Sequence, residues 1–398
     1  MKLVSVLHFP EFGGPHNQAL RLSPALAHHG VESTIVLPAG PGADRLRASG
    51  LDVRIVPLGR VRAVPNPRTQ LQTLGRFPLD MRALISLYRR ERPDVVQLNG
   101  LMNPHAALAA RALGISVVWQ LLDTRPPMRL RRVMMPLVRR LADVVMPIGH
   151  GVARAHPGTE AFGERMVVFY APVDTALFRP GTPSTLRAEL GIAPDAPVVG
   201  VVGNVNPQKG HEHFATAAAL VHQSFPEARF VIAGQIYANH PTHSEYHRRL
   251  VAQAESGGLR VGQDLVFLGA RRDIPNVMAA FDILALASVP NSEGTPTVIL
   301  EAMATGLPVV ATAVGSVAEV VADGETGFVV PAEQPQIMAD RLTTLLSDRE
   351  RRTQMGTKGR ERTEREFNLD RCVADHLRAY NLAIEHRRHG KHRATTHG

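Results

Sequence analysis

Cysteine is almost absent from this sequence: Cys372 is the only one in 398 residues. A single thiol excludes an internal disulfide and fits a reducing, cytoplasmic compartment. Long apolar runs are missing too, so no membrane-spanning helix is expected. The opening "MKLVSVLHFPEFGG" carries one Lys and an apolar run interrupted by Phe9-Pro10 and Glu11, which predicts no secretory signal. Charged residues are only 20% of the chain against 44% hydrophobic, with Gly and Pro spread along its length. That composition describes a soluble globular protein with a large core, with disorder expected only at the end.

The length exceeds one ordinary domain and predicts two. Charge divides unevenly between them. Residues 1–195 hold 24 Lys+Arg against 14 Asp+Glu, a net of +10, whereas residues 196–398 hold 21 against 22, a net of −1. A basic half-molecule suits a polyanion or an anionic membrane surface as partner. An overall preference for Arg on solvated faces is the alternative.

Short apolar runs alternate with helical patterns. "KLVSVLHF", "ESTIVLP", "DVRIVPL", "PDVVQLNG", "ISVVWQLLD" and "ADVVMPIG" predict six buried strands. "PVVGVVGN", "ARFVIAG", "DLVFLGA", "DILALAS", "LPVVATA" and "TGFVVPA" predict six more. Crossover helices between parallel strands make this an α/β chain of two doubly wound, Rossmann-like domains facing a cleft. Pro and turn residues in "FRPGTPSTLRAELGIAPDAP" place the join near 178–196. The expected layout is a first domain over 1–177, a second over 178–372, a further helix over 373–388 and a disordered tail over 389–398.

The informative stretch is "VPNSEGTPTVILEAMATGLPVVATAVGS", in which Glu293 and Glu301 stand eight positions apart. "VPNSEG" is read as the loop after a strand, Thr295 as an N-cap with Pro296 at the first helical position, and Gly306 as the helix stop. The free amides near Thr297 and Val298 would then seat a phosphate. A carboxylate on either side suits paired sugar hydroxyls. Hexose, diphosphate and ribose, in that order, describe a nucleotide sugar.

The run "SEGTPTVILEAMATGLPVVAT" resembles the E-x7-E signature of the family 4 retaining glycosyltransferases, enzymes of the GT-B fold. The resemblance covers nearly the whole chain and implies an acceptor-binding domain over 1–177, a nucleotide-sugar-binding domain over 178–372 and a helix over 373–388 that crosses back to the first domain. "EFGGPHNQALRLSPALAHHG" is similar to their glycine loop and first helix, "FYAPVDTALFRP" to their interdomain linker, "VVGNVNPQKG" to their phosphate-binding turn, and "FLGARRDIPNVMAAFDILALAS" to the approach to the signature. It implies that Glu293 holds donor-sugar hydroxyls, Glu301 the ribose, and Lys209 the diphosphate, with backbone amides at Gly13, Gly14, Thr297 and Val298 and with Gly294 and Thr295 lining the site. These groups would offset the charge of the leaving nucleotide. No metal or other cofactor is then required, and the chain lacks the Asp-x-Asp pair by which the other large glycosyltransferase fold holds a divalent ion.

Two positions depart from the pattern. Asn204 stands where the family usually has Arg, and Leu122-Asp123 where it usually offers a His. In a retaining transfer the leaving phosphate oxygen can serve as base, so Gln120, Asp123 or His105 is left to position the sugar or acceptor. The helix "MRLRRVMMPLVRRLA" sets Leu130, Val133, Met134, Leu137, Val138 and Leu141 against Arg129, Arg131, Arg132, Arg139 and Arg140. It would either lie on an anionic membrane and collect a lipid-linked acceptor or pack on its own sheet. His240, His243 and His247 lack a partner with metal-ligand spacing and are expected on an exposed loop and helix start. Nucleic-acid binding through the His-rich tail would be nonspecific.

The expectation is a cytoplasmic enzyme, peripheral to the membrane at most, that moves a sugar from a nucleotide-diphosphate donor, UDP-linked by default, to a glycan, lipid-linked or small hydroxyl acceptor. A sugar-nucleotide epimerase of the same architecture and a degenerate nucleotide-sugar or glycan-binding protein are the alternatives.

Overall fold

The computed structural model describes residues 1–59, 67–236 and 241–395. The chain forms two compact units, Met1–Pro172 with Leu369–Gly398, and Val173–Asn368.

The first unit holds β1 (Lys2–Val6), β2 (Glu32–Leu37), β3 (Asp52–Ile55), β4 (Val95–Asn99), β5 (Ser116–Leu121) and β6 (Val144–Pro147). All are parallel, in the order β3-β2-β1-β4-β5-β6. The second holds β7 (Val198–Val202), β8 (Arg229–Ala233), β9 (Leu265–Gly269), β10 (Ile283–Leu286), β11 (Val309–Thr312) and β12 (Gly327–Val330). These are also parallel, in the order β12-β11-β10-β7-β8-β9. Each of the twelve apolar runs supplies one strand. Val, Ile and Leu dominate them because helices cover both faces of a parallel sheet and leave little room for polar alternation.

In each unit the strand order reverses once, between β1 and β4 and between β7 and β10. Loops leaving the carboxyl ends of those two strands diverge to opposite faces and open a crevice, the usual seat of a ligand in this architecture. In the second unit these loops carry Lys209 and Glu293.

The division falls at Pro172–Val173 and Asn368–Leu369, a few residues before the expected 177–178 and 372–373. Hydrogen bonds account for the difference. Val173 N donates to Phe367 O at 3.1 Å. Arg360 donates to the carbonyls of Thr175, Phe178 and Ala304, fastening the "VDTALF" segment to the second unit.

The returning helix, Leu369–Thr395, starts four residues before the expected 373 and continues through most of the tail expected to be disordered from 389; residues 396–398 lie outside the described residues. It belongs to the first unit, where polar contacts fix its register. Tyr380 Oη donates to Gln97 Oε1 at 2.6 Å, and His386 Nδ1 meets Asp143 Oδ1 at 3.1 Å.

The helix Met128–Leu141 presents its apolar side to the core: Met134, Met135, Val138 and Leu141 are buried, with Leu130 and Leu137 packed beside them. Val133 is the exception and is 71% exposed. Arg131, expected on the solvated side, is buried, with Nε donating to Pro126 O at 2.8 Å and Nη1 to Ala155 O. No helix among the described residues is long and apolar enough to cross a membrane.

Candidate active site

Beyond β7 the chain makes a short turn, Pro207–Lys209, capped by Asn206, whose side-chain oxygen accepts from Gln208 N at 3.0 Å. Gly210 ends the turn at φ +59°, and a Cβ there would lie 2.1 Å from Ala287 O. Only glycine meets both demands. Val289 N donates to Gln208 O at 3.1 Å, so the loops after β7 and β10 are tied together.

The result is a close pair. Lys209 Nζ stands 2.7 Å from Glu293 Oε1, which also accepts from Ser288 Oγ at 2.7 Å. Both side chains are largely enclosed, the lysine 20% and the glutamate 8% exposed. An ammonium and a carboxylate withdrawn from water at this separation form an enclosed ion pair whose disruption is costly.

The helix Thr297–Thr305 follows at once. It begins one residue later than expected: Pro296 occupies the cap position at φ −65° and ψ 111°, and Thr295 is a buried residue ahead of it. Proline has no amide proton to lose there, and its extended ψ turns the chain into the helix. Ile299 N makes the first local bond, to Pro296 O at 3.2 Å, leaving the amides of Thr297 and Val298 ahead of it at the positive end of the helix. Glu301 is buried within the helix, which ends at Gly306, φ +84°. Gly294 O accepts from Ser316 N at 2.9 Å; Gly315, at φ +55°, allows this approach because its own Cβ would lie 2.1 Å from Gly294 O.

Asn204 lies just beyond β7. Its side-chain oxygen accepts from Gln235 N at 3.3 Å, and its carbonyl faces His211 Nε2 at 3.1 Å. The carbonyl can only accept, so Nε2 carries the proton. Burial lowers the His211 pKa to about 4, which keeps the ring neutral.

The remaining candidates lie in the first unit. Gly14 opens the helix Gly14–Ala27, and Gly13 N donates to His16 Nδ1 at 3.3 Å. Burial lowers the pKa of His16 to about 4. Gln120, on β5, is fully enclosed and its amide nitrogen donates to His376 Nε2 at 2.9 Å. Gln18 approaches the same nitrogen at 3.3 Å, while His376 Nδ1 donates to Cys372 O at 2.7 Å. His105 is buried on the helix Pro104–Ala112, edge-on to Phe77, and burial lowers its pKa. Asp123 is half-buried in the loop after β5, where Oδ1 accepts from Arg125 N at 3.1 Å.

Of the expected residues, the structure therefore gathers Lys209, Glu293, Gly294, Thr295, Thr297, Val298 and Glu301 around the β7/β10 crevice. Asn204 lies on the neighbouring β7–β8 side. Gly13, Gly14, His105, Gln120 and Asp123 belong to the other unit.

A model described as "Glycosyl transferase 4-like domain" matches residues 13–172, and one described as "Glycosyl transferases group 1" matches residues 184–362. Together they take in most of the chain. It belongs to the family 4-type glycosyltransferases. Similar curated members of this family include the D-inositol 3-phosphate glycosyltransferase of Corynebacterium urealyticum, 30% identical over 66% of this chain and 61% of that protein. The lipopolysaccharide core biosynthesis mannosyltransferase LpsB of Rhizobium meliloti is 30% identical over 59% of this chain and 64% of its own length. The matched region thus spans less than two thirds of either relative. Among solved structures, Anabaena HepE in complex with UDP-glucose superposes with a TM-score of 0.79 at 23% identity, covering 96% of this chain and 99% of that one. The sucrose-phosphate synthase of Thermosynechococcus elongatus follows at 0.75 and 18%, covering 96% and 99%. These likenesses establish the two-domain GT-B glycosyltransferase fold.

Ser288 was missed in the sequence. It is the last residue of the run "DILALAS", where small residues carry no distinguishing pattern, and only the folded loop turns its hydroxyl to Glu293. His243 and His247 lie in the first two turns of the helix Pro241–Ser256, where they are half-buried instead of exposed, with His247 edge-on to Phe267 and its pKa lowered by burial; His240 lies outside the described residues. Among the described residues, no group of three or more His, Cys, Asp or Glu side chains is placed to hold a metal ion.

Proposed function

We propose that the chain transfers a sugar from a nucleoside-diphosphate donor, a UDP-sugar in the first instance, to a hydroxyl acceptor. Transfer proceeds with retention at the anomeric carbon and requires no metal ion. The observation that carries this reading is the Lys209–Glu293 pair in the crevice of the second sheet, one loop from the amides of Thr297 and Val298. HepE, which shares the fold, has been solved with UDP-glucose bound, and that supports UDP as the nucleotide.

Each charged group then has a part in the reaction. An incoming diphosphate competes with Glu293 for the Lys209 ammonium and gains the two helix-end amides, which together neutralise the charge that grows on the leaving nucleotide. Glu293, held by Ser288, turns its carboxylate to the sugar hydroxyls, and Glu301 takes the ribose. The departing phosphate oxygen accepts the proton of the acceptor hydroxyl as the new bond forms on the same face. Asp123, less enclosed than Gln120 and His105, positions the acceptor; Gln120 and His105 act from behind the surface.

A second reading, a binding protein without turnover, draws on Asn204. Where family members usually carry an arginine, this chain has an amide whose oxygen holds Gln235. Incubation of the protein with UDP-glucose, UDP-galactose and UDP-N-acetylglucosamine in the presence of chelator, with glycan and lipid-linked acceptors, decides between the two. Acceptor-dependent release of UDP with an axial product linkage supports transfer. Binding with no release favours the second reading, and turnover of donor without acceptor points to an epimerase.

A further inference from the structure

Arg139, Arg140 and Arg165 converge on an open cavity of about 310 Å³ whose other walls are Pro136, Ala161 and Phe162. All lie in the first unit, on the helix Met128–Leu141 and the segment Thr159–Arg165. The helix contains no acidic residue. With Arg131 turned inward, its exposed residues are Met128, Arg129, Arg132, Val133, Pro136, Arg139 and Arg140.

The cavity is built rather than accidental. Arg165 donates to Asp143 O at 3.1 Å, and its guanidinium carbon lies 5.1 Å from the centre of the buried Phe162 ring, so the fork is held in place. Arg139 runs along Gly158, where an added Cβ would lie 3.5 Å from its Cδ. The buried carboxylate of Asp143 is already taken by Arg111 and His386. Glu160 and Glu164 are exposed on the same segment, and among the described residues neither they nor any other carboxylate forms an ion pair with the three arginines. Three like charges facing one cavity repel one another unless an anion occupies it. Guanidinium forks match the oxygens of a phosphate group.

We propose that this cavity binds the phosphate of a phosphate ester, at a site separate from the donor crevice. The ester is carried either by a phospholipid headgroup or by a soluble molecule. Val133, apolar and exposed one turn before Pro136, lies where a headgroup's acyl chains would begin.

Two probes applied to the full chain test the proposal: flotation with phosphatidylcholine vesicles, with and without phosphatidylglycerol, and calorimetry with glycerol phosphate. At least one probe should bind, and the Arg139→Glu/Arg140→Glu variant should lose about thirtyfold or more. These arginines are exposed, so circular dichroism should report an unchanged fold. Vesicle binding that also falls in Val133→Asp assigns the headgroup; glycerol phosphate binding that ignores Val133→Asp assigns a soluble ester. The Arg129→Glu/Arg132→Glu variant, on the same helix outside the cavity, should lose far less. Equal loss in the two pairs, binding unaffected by either, or no binding of either probe overturns the proposal. None of these residues belongs to the donor half, so any of these results leaves the proposed transfer reaction untouched.

Discussion

Lys209 and Glu293 are 84 residues apart in the chain and 2.7 Å apart in space. The sheet makes this possible: β7 and β10 are neighbours, and each contributes the loop that leaves its carboxyl end. In the structure the two charges satisfy each other; under the proposed function a donor diphosphate would take the place of the Glu293 carboxylate on the Lys209 ammonium.

The first prediction concerns this pair. Lys209→Met leaves an enclosed carboxylate without its ammonium partner, and should lower the stability of the second unit by about 2 kcal/mol. Glu293→Gln should cost a similar amount. The double variant should cost clearly less than the two together, because the uncompensated charge is gone. Urea denaturation of the four proteins measures this, and strict additivity would show that the pair is not coupled.

Gly210→Ala should be disruptive beyond its size. The left-handed backbone costs an alanine about 1 kcal/mol or more, and the new methyl collides with Ala287 O. Relief requires the turn that carries Lys209 to move. Nucleotide affinity should therefore fall together with the thermal midpoint, whereas Gly14→Ala, whose Cβ would meet open space within its own unit, should leave the midpoint nearly unchanged.

Acid should weaken the first unit well above the pH at which its carboxylates titrate. Burial lowers the pKa of His376 to about 4, against 6.5 for an exposed histidine. Between those values the unfolded chain binds a proton that the folded chain refuses, so stability is full above pH 6.5 and declines as the pH falls towards 4. The loss from this one group amounts to about 3 kcal/mol. His16 adds to this in the first unit, and His211 acts in the same direction in the second. Denaturant midpoints followed from pH 7.5 to 4, for the chain and for His376→Gln, should show a shallower slope in the variant.

The fold was legible in the sequence to a greater extent than the site was. Twelve apolar runs bounded by turn residues became twelve strands because a doubly covered parallel strand must be apolar throughout. Gly306 stopped its helix as its chemistry requires. The Lys209–Glu293 contact was hidden because the resemblance assigned the two side chains to different parts of a ligand, and chain separation says nothing about what they do in its absence. Gln120 and His376 were equally illegible as partners: an amide on a buried strand offers no sign of which helix will return to meet it, and this helix returns from 256 residues downstream.

Asn204→Arg tests the departure from the family pattern. A guanidinium beside the Pro207–Lys209 turn adds a phosphate-neutralising charge, and UDP affinity should rise about tenfold. The loss of the Asn204–Gln235 bond should cost about 1 kcal/mol of stability. Calorimetry and denaturation separate the two effects. Unchanged affinity would mean that position 204 does not face the diphosphate.

The most direct measurement is calorimetry of the full chain with UDP and GDP, with chelator present, beside Lys209→Ala and Glu301→Ala. One nucleotide should bind, and both substitutions should weaken it by about tenfold or more, Lys209→Ala through the diphosphate and Glu301→Ala through the ribose. Absence of binding to either nucleotide, or affinities that neither substitution changes, would contradict the assignment of the β7/β10 crevice as a nucleotide-sugar site.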